Sequence, residues 1–213
     1  SLLGVYLSNT KEDLDKNKED RNPNIQTPFI NALLECRDDD VKELKSFKDK
    51  LLEFTDSQIQ KSNITEASIY FRDLDNGLWI ENNKDDKFSP ASLLKIPIAM
   101  SLLKEAEKNP SLLGKSFILK EEYSKTAIQH YIPENRLEKD RLYTIKNLLE
   151  QMLVYSDNSA QNALLANAGV DFYRVFDDLG ISLPPGENKE NFMTIKDYAR
   201  FFRVLYNGSY LSK

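Results

Sequence analysis

The chain contains only one cysteine and one histidine, and this scarcity excludes much familiar enzyme chemistry. Cys36 alone cannot form an internal disulfide or a cysteine-based zinc cluster. His130 is the single candidate base for a Ser-His-Asp or Cys-His catalytic arrangement. The seven glycines include no G-x-G pair, which excludes the dinucleotide-binding fingerprint. Much ordinary enzyme chemistry is therefore excluded before any motif is considered.

Long apolar segments are also lacking. The apolar run at residues 1–7 is short, whereas a bilayer-spanning helix needs about 20 apolar residues. The net charge of -5 argues against a nucleic-acid partner and against an anionic membrane surface. Residues 8–26 are charged, mixed in sign and poor in apolar side chains, so we predict a flexible extension over residues 1–27. Residues 28–213 are predicted to be the folded part.

Two patterns predict the first folded elements. Val41, Leu44, Phe47, Leu51 and Phe54 form one apolar stripe at helical spacing, so they predict a helix that buries this stripe. Residues 67–72 and 78–81 are β-rich, and the Asp75-Asn76-Gly77 sequence between them is a strong signal for a hairpin turn.

The rest of the chain is predicted to be helical. Residues 92–107 are apolar on every face, which predicts a central buried helix that Pro97 bends or breaks. Later helices are predicted at residues 144–155, 159–168, 171–179 and 194–206, and a glycine follows three of them. The predicted order is therefore a helix, a hairpin and an all-helical body.

Ser92 and Lys95 are one helical turn apart, so their side chains are predicted to share a face. A serine hydroxyl is a weak nucleophile until a base takes its proton. A lysine is such a base when its environment lowers its pKa. The same S-x-x-K spacing begins at Ser8 and Ser101, but only Ser92 follows a break, at Ser89-Pro90, and begins a helix. The unpaired N–H groups of a helix start favour an oxyanion there. We therefore select Ser92 and interpret Ser101 as an ordinary helix serine.

Ser156-Asp157-Asn158 lies between two predicted helices and has two interpretations. These residue types are common in turns and at helix N-termini, so the segment alone is well explained as a cap. Its occurrence downstream of Ser92 and Lys95 favours the second interpretation, in which it contributes to the same catalytic site.

These segments together resemble the penicillin-recognising serine hydrolases, and among them the class A β-lactamases, whose motifs are S-x-x-K, S-D-N and K-T-G. The resemblance is carried by residues 88–95 (FSPASLLK), residues 155–165 (YSDNSAQNALL) and the hairpin, and it covers about residues 38–212. It implies the α+β fold of the β-lactamase/transpeptidase type, with an all-helical body and part of an antiparallel sheet in this chain.

The resemblance also implies a role for each matching residue. Ser92 would attack the carbonyl of a β-lactam or of a peptidoglycan stem peptide and become acylated, and its backbone N–H would form half of an oxyanion hole. Lys95 would deprotonate Ser92 or keep the local network poised. Ser156 would relay a proton to the leaving nitrogen, and Asn158 would hydrogen-bond the amide side chain of the substrate. Tyr131 falls where the family places an aromatic residue at the mouth of the site. No cofactor and no metal is implied.

The sequence departs from the family pattern first in its third motif. No Lys-Thr-Gly or Lys-Ser-Gly follows Ser156, whereas the family carries this motif on a C-terminal strand. We therefore expect the chain to correspond to the N-terminal and helical part of such a domain, with the C-terminal strands and helix missing from it. A partner chain that supplies the missing segment is one expectation, and poor catalysis by the fragment alone is another.

The second departure concerns the base that releases the acyl group. Class A β-lactamases use a glutamate for this step. Glu187 and Glu190 are the candidates here, but neither has the family motif around it, and solvated loop charges are the alternative interpretation. Without such a base, acylation would be fast and deacylation slow, as in a penicillin-binding protein.

Three functional hypotheses follow. The first is a serine hydrolase that forms an acyl-enzyme at Ser92. The second is a non-catalytic penicillin-sensing or cell-wall-binding module on the same fold, which the missing third motif favours. The third is a helical protein with chance motifs. Because the substrates of the family lie outside the cytoplasm, the resemblance implies an extracytoplasmic location, whether periplasmic, secreted or membrane-anchored.

Overall fold

The computed structural model describes residues 29, 42–75, 77–125, 135–183 and 193–212. The predicted extension at residues 1–27 lies outside these ranges. The chain divides into two compact units, one formed by Ser1–Ser89 and Leu179–Tyr206 and the other by Pro90–Asp178 and Asn207–Lys213. No helix in the described ranges is long and apolar enough to cross a membrane.

The first unit contains the predicted hairpin. Strand β1 (Ile69–Arg72) pairs antiparallel with strand β2 (Trp79–Asn82). The turn closes through a hydrogen bond from the Asp73 N–H to the Leu78 carbonyl, at 2.7 Å. Gly77 adopts a φ of 77°, a conformation that glycine reaches without the steric cost of a Cβ. The Asp-Asn-Gly signal therefore predicted the turn correctly.

Helix α1 (Lys42–Gln60) forms, and Leu44 and Leu51 of its apolar stripe are half-buried, but the expected burial was wrong for the two phenylalanines. Phe47 and Phe54 are 43% and 60% exposed, although Phe47 makes an edge contact with Phe71 of β1. Among the described side chains of this helix, Thr55 is the buried one, and its hydroxyl donates to backbone carbonyls one turn earlier. Among the described residues, the hairpin covers only part of one face of this 19-residue helix.

The remainder of the first unit is a short strand pair and a helix. Strand β3 (Lys87–Phe88) pairs antiparallel with β6 (Met193–Thr194), which leads directly into α7 (Ile195–Tyr206). The β3–β6 pair was not predicted, because two-residue strands carry no periodicity. On α7, Arg200 donates to the backbone carbonyl of Gly180 at 3.2 Å. Gly180 and Met193, at the two ends of the segment between them, are thus both held by contacts within the first unit.

The second unit is centred on helix α2 (Lys95–Lys108), which a 3-10 helix at Ala91–Leu94 precedes. Its burial was predicted correctly, since residues from Lys95 to Leu102 are nearly all buried. The expected bend at Pro97 was wrong, because Pro97 is the third residue of α2. Proline is tolerated in a first turn, where the N–H that it lacks is largely unneeded.

Further helices surround α2 in this unit. A second 3-10 helix (Pro110–Gly114) and strand β4 (Ser116–Ile118) follow it, and then α3 (Glu121–Lys125). Strand β5 (Leu142–Thr144) pairs antiparallel with β4 and leads into α4 (Ile145–Val154), α5 (Asn158–Asn167) and α6 (Arg174–Asp178). The α+β class is therefore correct, with two short strand pairs added to the predicted hairpin. Helix α6 is shorter than predicted.

The core of the second unit joins α2, α4 and α5. Leu102, Met152 and Leu164 are fully buried within one apolar cluster. Complete burial of each such side chain contributes about 1.5–3 kcal/mol. At the start of α4, the side chains of Thr144 and Asn147 form a reciprocal capping box. This packing fixes α2 and α5, and the candidate site residues lie in or just before the first turns of these two helices.

Candidate active site

Ser92 and Lys95 are brought together by the 3-10 helix at Ala91–Leu94. Side chains three residues apart eclipse one another in a 3-10 helix, so the hydroxyl and the amine stack. Ser92 Oγ lies 3.1 Å from Lys95 Nζ. Ser92 is exposed, whereas Lys95 is only 3% exposed. The nucleophile candidate therefore faces solvent, and the amine lies beneath it.

The start of this 3-10 helix has an unusual backbone. Ala91 adopts a φ of 44°, a left-handed conformation that carries a steric cost for a residue with a Cβ. No side chain caps the helix at Pro90. The backbone N–H of Ser92 lies in this first turn, where donors have no intrahelical partner. An N–H in that position is suited to bind a developing oxyanion.

The turn between α4 and α5 supplies the second half of the site. Asp157 is the N-cap of α5, and one of its oxygens accepts from the backbone N–H groups of Ser159 and Ala160. Ser156 and Asn158, on either side of it, both contact Lys95. The two interpretations of this segment are therefore compatible, since one residue caps the helix while its neighbours line the site.

The three candidate catalytic side chains form a closed triangle. Lys95 Nζ lies 2.9 Å from Ser156 Oγ, and Ser156 Oγ lies 3.2 Å from Ser92 Oγ. Together with the 3.1 Å contact between Ser92 and Lys95, every pair is within hydrogen-bonding distance. A proton can therefore pass from Ser92 to Lys95 directly or through the Ser156 hydroxyl.

The remaining contacts of Lys95 constrain where its protons point. Nζ also contacts the backbone carbonyl of Ser156 at 2.9 Å and Asn158 Oδ1 at 2.5 Å. Both oxygens only accept hydrogen bonds, so they take two N–H groups of the amine. A neutral amine then directs its lone pair at a hydroxyl, whereas an ammonium directs its third proton there. The site therefore accommodates both protonation states.

Two opposing effects act on the pKa of Lys95. Burial lowers this pKa, because desolvation disfavours the ammonium form, and the nearby charge of Asp157 raises it. Burial is the larger effect, so the pKa lies below its usual value. Asp157 is itself only 5% exposed. A lowered pKa increases the fraction of neutral amine at a given pH, as a general base requires.

The structure thus brings together Ser92, Lys95, Ser156 and Asn158. The other predicted site residues, Tyr131, Glu187 and Glu190, lie outside the described residues, as do Cys36 and His130. Within the described ranges, no group of three or more His, Cys, Asp or Glu side chains is arranged to hold a metal ion.

Ser101, which shares the S-x-x-K spacing, behaves as an ordinary helix serine, as predicted. It is buried, and its hydroxyl donates to the carbonyl of Pro97 in the same helix, at 2.9 Å. Its partner in the spacing, Lys104, instead pairs with Glu107 at 2.8 Å. The pair therefore forms no second hydroxyl–amine site.

Sequence reasoning missed one functional group, the backbone carbonyl of Ser156. This oxygen reaches Lys95 because Ser156 adopts a φ of 55°. A backbone acceptor has no side-chain signature, and serine is uncommon in this conformation. The available signal was the position of Ser156 in a tight turn between two helices.

Comparisons with known proteins identify the family and the fold. The model of the Beta-lactamase enzyme family matches residues 49–213. Among solved structures, PBP-A is similar with a TM-score of 0.56 and 22% identity. A mutant of PBP-A, described as an acyl-enzyme complex with penicillin G, is similar with a TM-score of 0.57 and 22% identity. Each comparison covers 68% of this chain and 57% of the other chain.

A third solved structure, a β-lactamase from Sphaerobacter thermophilus DSM 20745, is similar with a TM-score of 0.51 and 24% identity. The match covers 64% of this chain and 55% of the β-lactamase chain. This chain therefore spans little more than half the length of these structures. At such identities the likeness establishes the fold. A comparison with curated proteins found no match. Because the family match spans most of its length, the chain belongs to the Beta-lactamase enzyme family.

Proposed function

We propose that this protein is a serine hydrolase that forms an acyl-enzyme at Ser92 with β-lactams or with acyl-peptides of the peptidoglycan type. The observation that carries the proposal is the triangle of Ser92, Lys95 and Ser156. Its exposed hydroxyl lies 3.1 Å from a buried amine whose pKa is lowered. The acyl-enzyme complex of the PBP-A mutant with penicillin G supports the choice of substrate.

Acylation begins with proton transfer from Ser92 Oγ to the neutral Lys95 Nζ, directly or through Ser156. The Ser92 oxygen bonds to the carbonyl carbon, and the carbonyl oxygen takes the negative charge near the Ser92 N–H. Loss of one such oxyanion contact typically costs about 3–4 kcal/mol of transition-state stabilisation. The C–N bond then breaks. The leaving nitrogen receives the hydroxyl proton of Ser156, which Lys95 replaces from its own proton.

Asn158 is proposed to orient the substrate. Its Oδ1 faces Lys95, so its Nδ2 is the group that would donate to the amide carbonyl of a penicillin or peptide side chain. The same asparagine therefore connects the amine to the part of the substrate that is not broken. Such remote contacts align the reacting atoms and contribute to the rate.

We further propose that release of the acyl group is slow and that the protein behaves as a penicillin-binding enzyme. Among the described residues, no carboxylate forms an ion pair with Lys95. Glu187 and Glu190 are the remaining candidates for activating the water. Because peptidoglycan and β-lactams are met outside the cytoplasm, we propose an extracytoplasmic location.

The test is intact-protein mass spectrometry after incubation with benzylpenicillin, with peptide mapping of any adduct. We expect an adduct at Ser92 that persists for longer than the time of its formation. Ser92→Ala should abolish it, and Ser101→Ala is the matched control that should retain it. Rapid loss of penicillin without an accumulated adduct would show efficient deacylation, which would overturn slow release. If no adduct forms and no penicillin is lost, the catalytic proposal is overturned in favour of a binding module.

A further inference from the structure

Tyr123 of α3 is held at both ends by asparagines of α5, in a contact that the proposed mechanism does not use. Asn162 Nδ2 donates to the backbone carbonyl of Tyr123 at 3.1 Å. Asn167 Nδ2 donates to the phenol oxygen of Tyr123 at 2.9 Å and to the carbonyl of Ala163 at 2.8 Å. Both amide protons of Asn167 are therefore committed. We call Tyr123, Asn162 and Asn167 the Tyr123 clamp.

The spacing of the clamp orients the tyrosine along α5. Asn162 and Asn167 are five residues apart, which corresponds to about 7.5 Å along a helix axis. Asn162 holds the backbone carbonyl of Tyr123, and Asn167, further along the axis, holds its phenol oxygen. Tyr123 is only 8% exposed and belongs to the same apolar core as Leu164. Because its ring is packed and both ends are bonded, Tyr123 resists sliding or rotation of α5.

The Tyr123 clamp lies one turn away from the candidate substrate contact. Asn158 and Asn162 are four residues apart on α5, so they share a face of the helix. Asn158 Oδ1 contacts Lys95, while Asn162 holds Tyr123. The Asp157 side chain, which caps α5, accepts hydrogen bonds only from N–H groups of that same helix. It therefore does not set the rotation of α5 against its neighbours. A rotation of α5 that frees Tyr123 would move Asn158 as well.

We propose that Tyr123 and Asn162 are positioning residues of the active site. Together with the core packing of α5, they set the rotation of this helix and thereby place the Asn158 amide for a substrate that carries an acylamino group. This inference rests on the proposed function. It predicts that damage to the Tyr123 clamp impairs substrates with such a group selectively, whereas general loss of structure would impair all substrates alike.

The experiment compares acylation of Ser92 by benzylpenicillin, which carries an acylamino side chain, and by 6-aminopenicillanic acid, which lacks it. We expect Asn162→Ala to reduce the second-order acylation rate constant for benzylpenicillin about fivefold, because the hydrogen bond from Asn158 to the substrate amide would be weakened. The rate for 6-aminopenicillanic acid should stay within about twofold. Tyr123→Phe keeps the ring and the carbonyl that Asn162 binds, so it should have a smaller selective effect.

Thr144→Ala is the matched control, because it removes the cap of α4 at a similar cost in stability and leaves the Tyr123 clamp intact. It should leave the ratio of the two rates unchanged. An equal fall for both substrates in Asn162→Ala, or no fall for either, would overturn the inference.

A second measurement separates failure of this inference from failure of the proposed function. Hydrogen exchange of the Asn158 side-chain amide, followed by NMR on the full chain without substrate, should accelerate in Asn162→Ala and not in Thr144→Ala. If wild-type protein forms no adduct, the proposed function fails, but faster exchange would still establish that the Tyr123 clamp positions Asn158. Unchanged exchange would overturn the positioning role whatever the acylation result.

Discussion

Lys95 Nζ lies 2.9 Å from the hydroxyl of Ser156 and 2.9 Å from the backbone carbonyl of the same residue. One residue thus contributes both a group that exchanges protons and a group that only accepts hydrogen bonds. The positive φ of Ser156, 55°, accompanies this arrangement. A side-chain substitution removes the first contact and keeps the second, so the two contributions can be measured separately.

Ser156→Ala is therefore expected to slow acylation without releasing Lys95 from the site. The carbonyl contact remains, but the hydroxyl that would protonate the leaving nitrogen is lost. General acid–base groups contribute about 100-fold or more, so a fall of about that size in the acylation rate is expected. Stopped-flow measurement with a chromogenic β-lactam gives this rate.

Ser111→Ala is the control for this substitution, because its hydroxyl bonds only to Asn109, on the surface. Its acylation rate should match that of the wild type. An unchanged rate in Ser156→Ala would show that Lys95 or solvent protonates the leaving group, and the relay through Ser156 would be wrong.

Asp157→Asn should move the pH dependence of acylation to lower pH. The charge of Asp157 raises the pKa of Lys95. Removing that charge lowers the pKa further, so the amine becomes neutral, and able to act as a base, at a lower pH. Asparagine caps helices about as well as aspartate, so α5 should keep its start. The measurement is the acid limb of the rate–pH profile for benzylpenicillin acylation.

A limb that stays in place, or that moves to higher pH, would contradict this prediction. Asp178→Asn provides a comparison, since Asp178 is another carboxylate of the same unit and its contacts are with Tyr210 and Arg174. The acid limb of Asp178→Asn should coincide with that of the wild type.

Ala91→Gly should stabilise the protein, because a φ of 44° is strained for alanine and accessible to glycine. The relief of about 1–2 kcal/mol is partly offset by the greater backbone entropy of glycine in the unfolded chain. A net increase of about 0.5–1 kcal/mol in the free energy of unfolding is expected. Urea denaturation followed by circular dichroism measures it.

The same chemical change at Ala106 should have the opposite sign. Ala106 lies inside α2, where glycine costs about 1 kcal/mol relative to alanine. Ala91→Val is expected to destabilise, since a β-branched side chain is worse at positive φ. A loss of stability in Ala91→Gly would mean that the conformation at Ala91 carries little strain.

Tyr210→Ala should cost about 3–5 kcal/mol of stability, the range for truncating a large buried aromatic residue. Tyr210 is 2% exposed, and its hydroxyl donates to Asp178 at 2.9 Å. Burial raises the pKa of Tyr210, so the hydroxyl remains a donor near neutral pH. Tyr210→Phe keeps the packing and should cost about 1–3 kcal/mol. Equal losses in the two variants would assign the stabilisation to the hydrogen bond alone.

The proximity of the site side chains was largely predictable, because it depends on residues with distinctive spacing. Ser92 and Lys95 are three residues apart and contact each other, and Ser156 and Asn158 join them as predicted. Asp157 is the N-cap of α5, a position that its residue type favours. The hairpin turn at Gly77 and the positive φ of Gly169 after α5 follow from the same local rules.

The rest could not be predicted, because it depends on tertiary context. The exposure of Phe47 and Phe54 depends on how much of the described chain packs on α1, which helical periodicity does not reveal. Pro97 is harmless because α2 begins only two residues before it. The bonds of Tyr123 to Asn162 and Asn167 join parts of the chain that are about 40 residues apart. The residue type of an asparagine does not indicate which group it will hydrogen-bond.

The two ties of the segment between residues 180 and 193 also affect how freely its length can change. Arg200 holds the carbonyl of Gly180, and Met193 pairs with Phe88, so the ends of the segment are closed by contacts outside it. Once both ends are closed, each doubling of the enclosed length costs only about 0.6 kcal/mol. The contacts at Gly180 and Met193 are thus the ones that a redesign of this length must keep, because they hold the two ends of the segment whatever number of residues joins them.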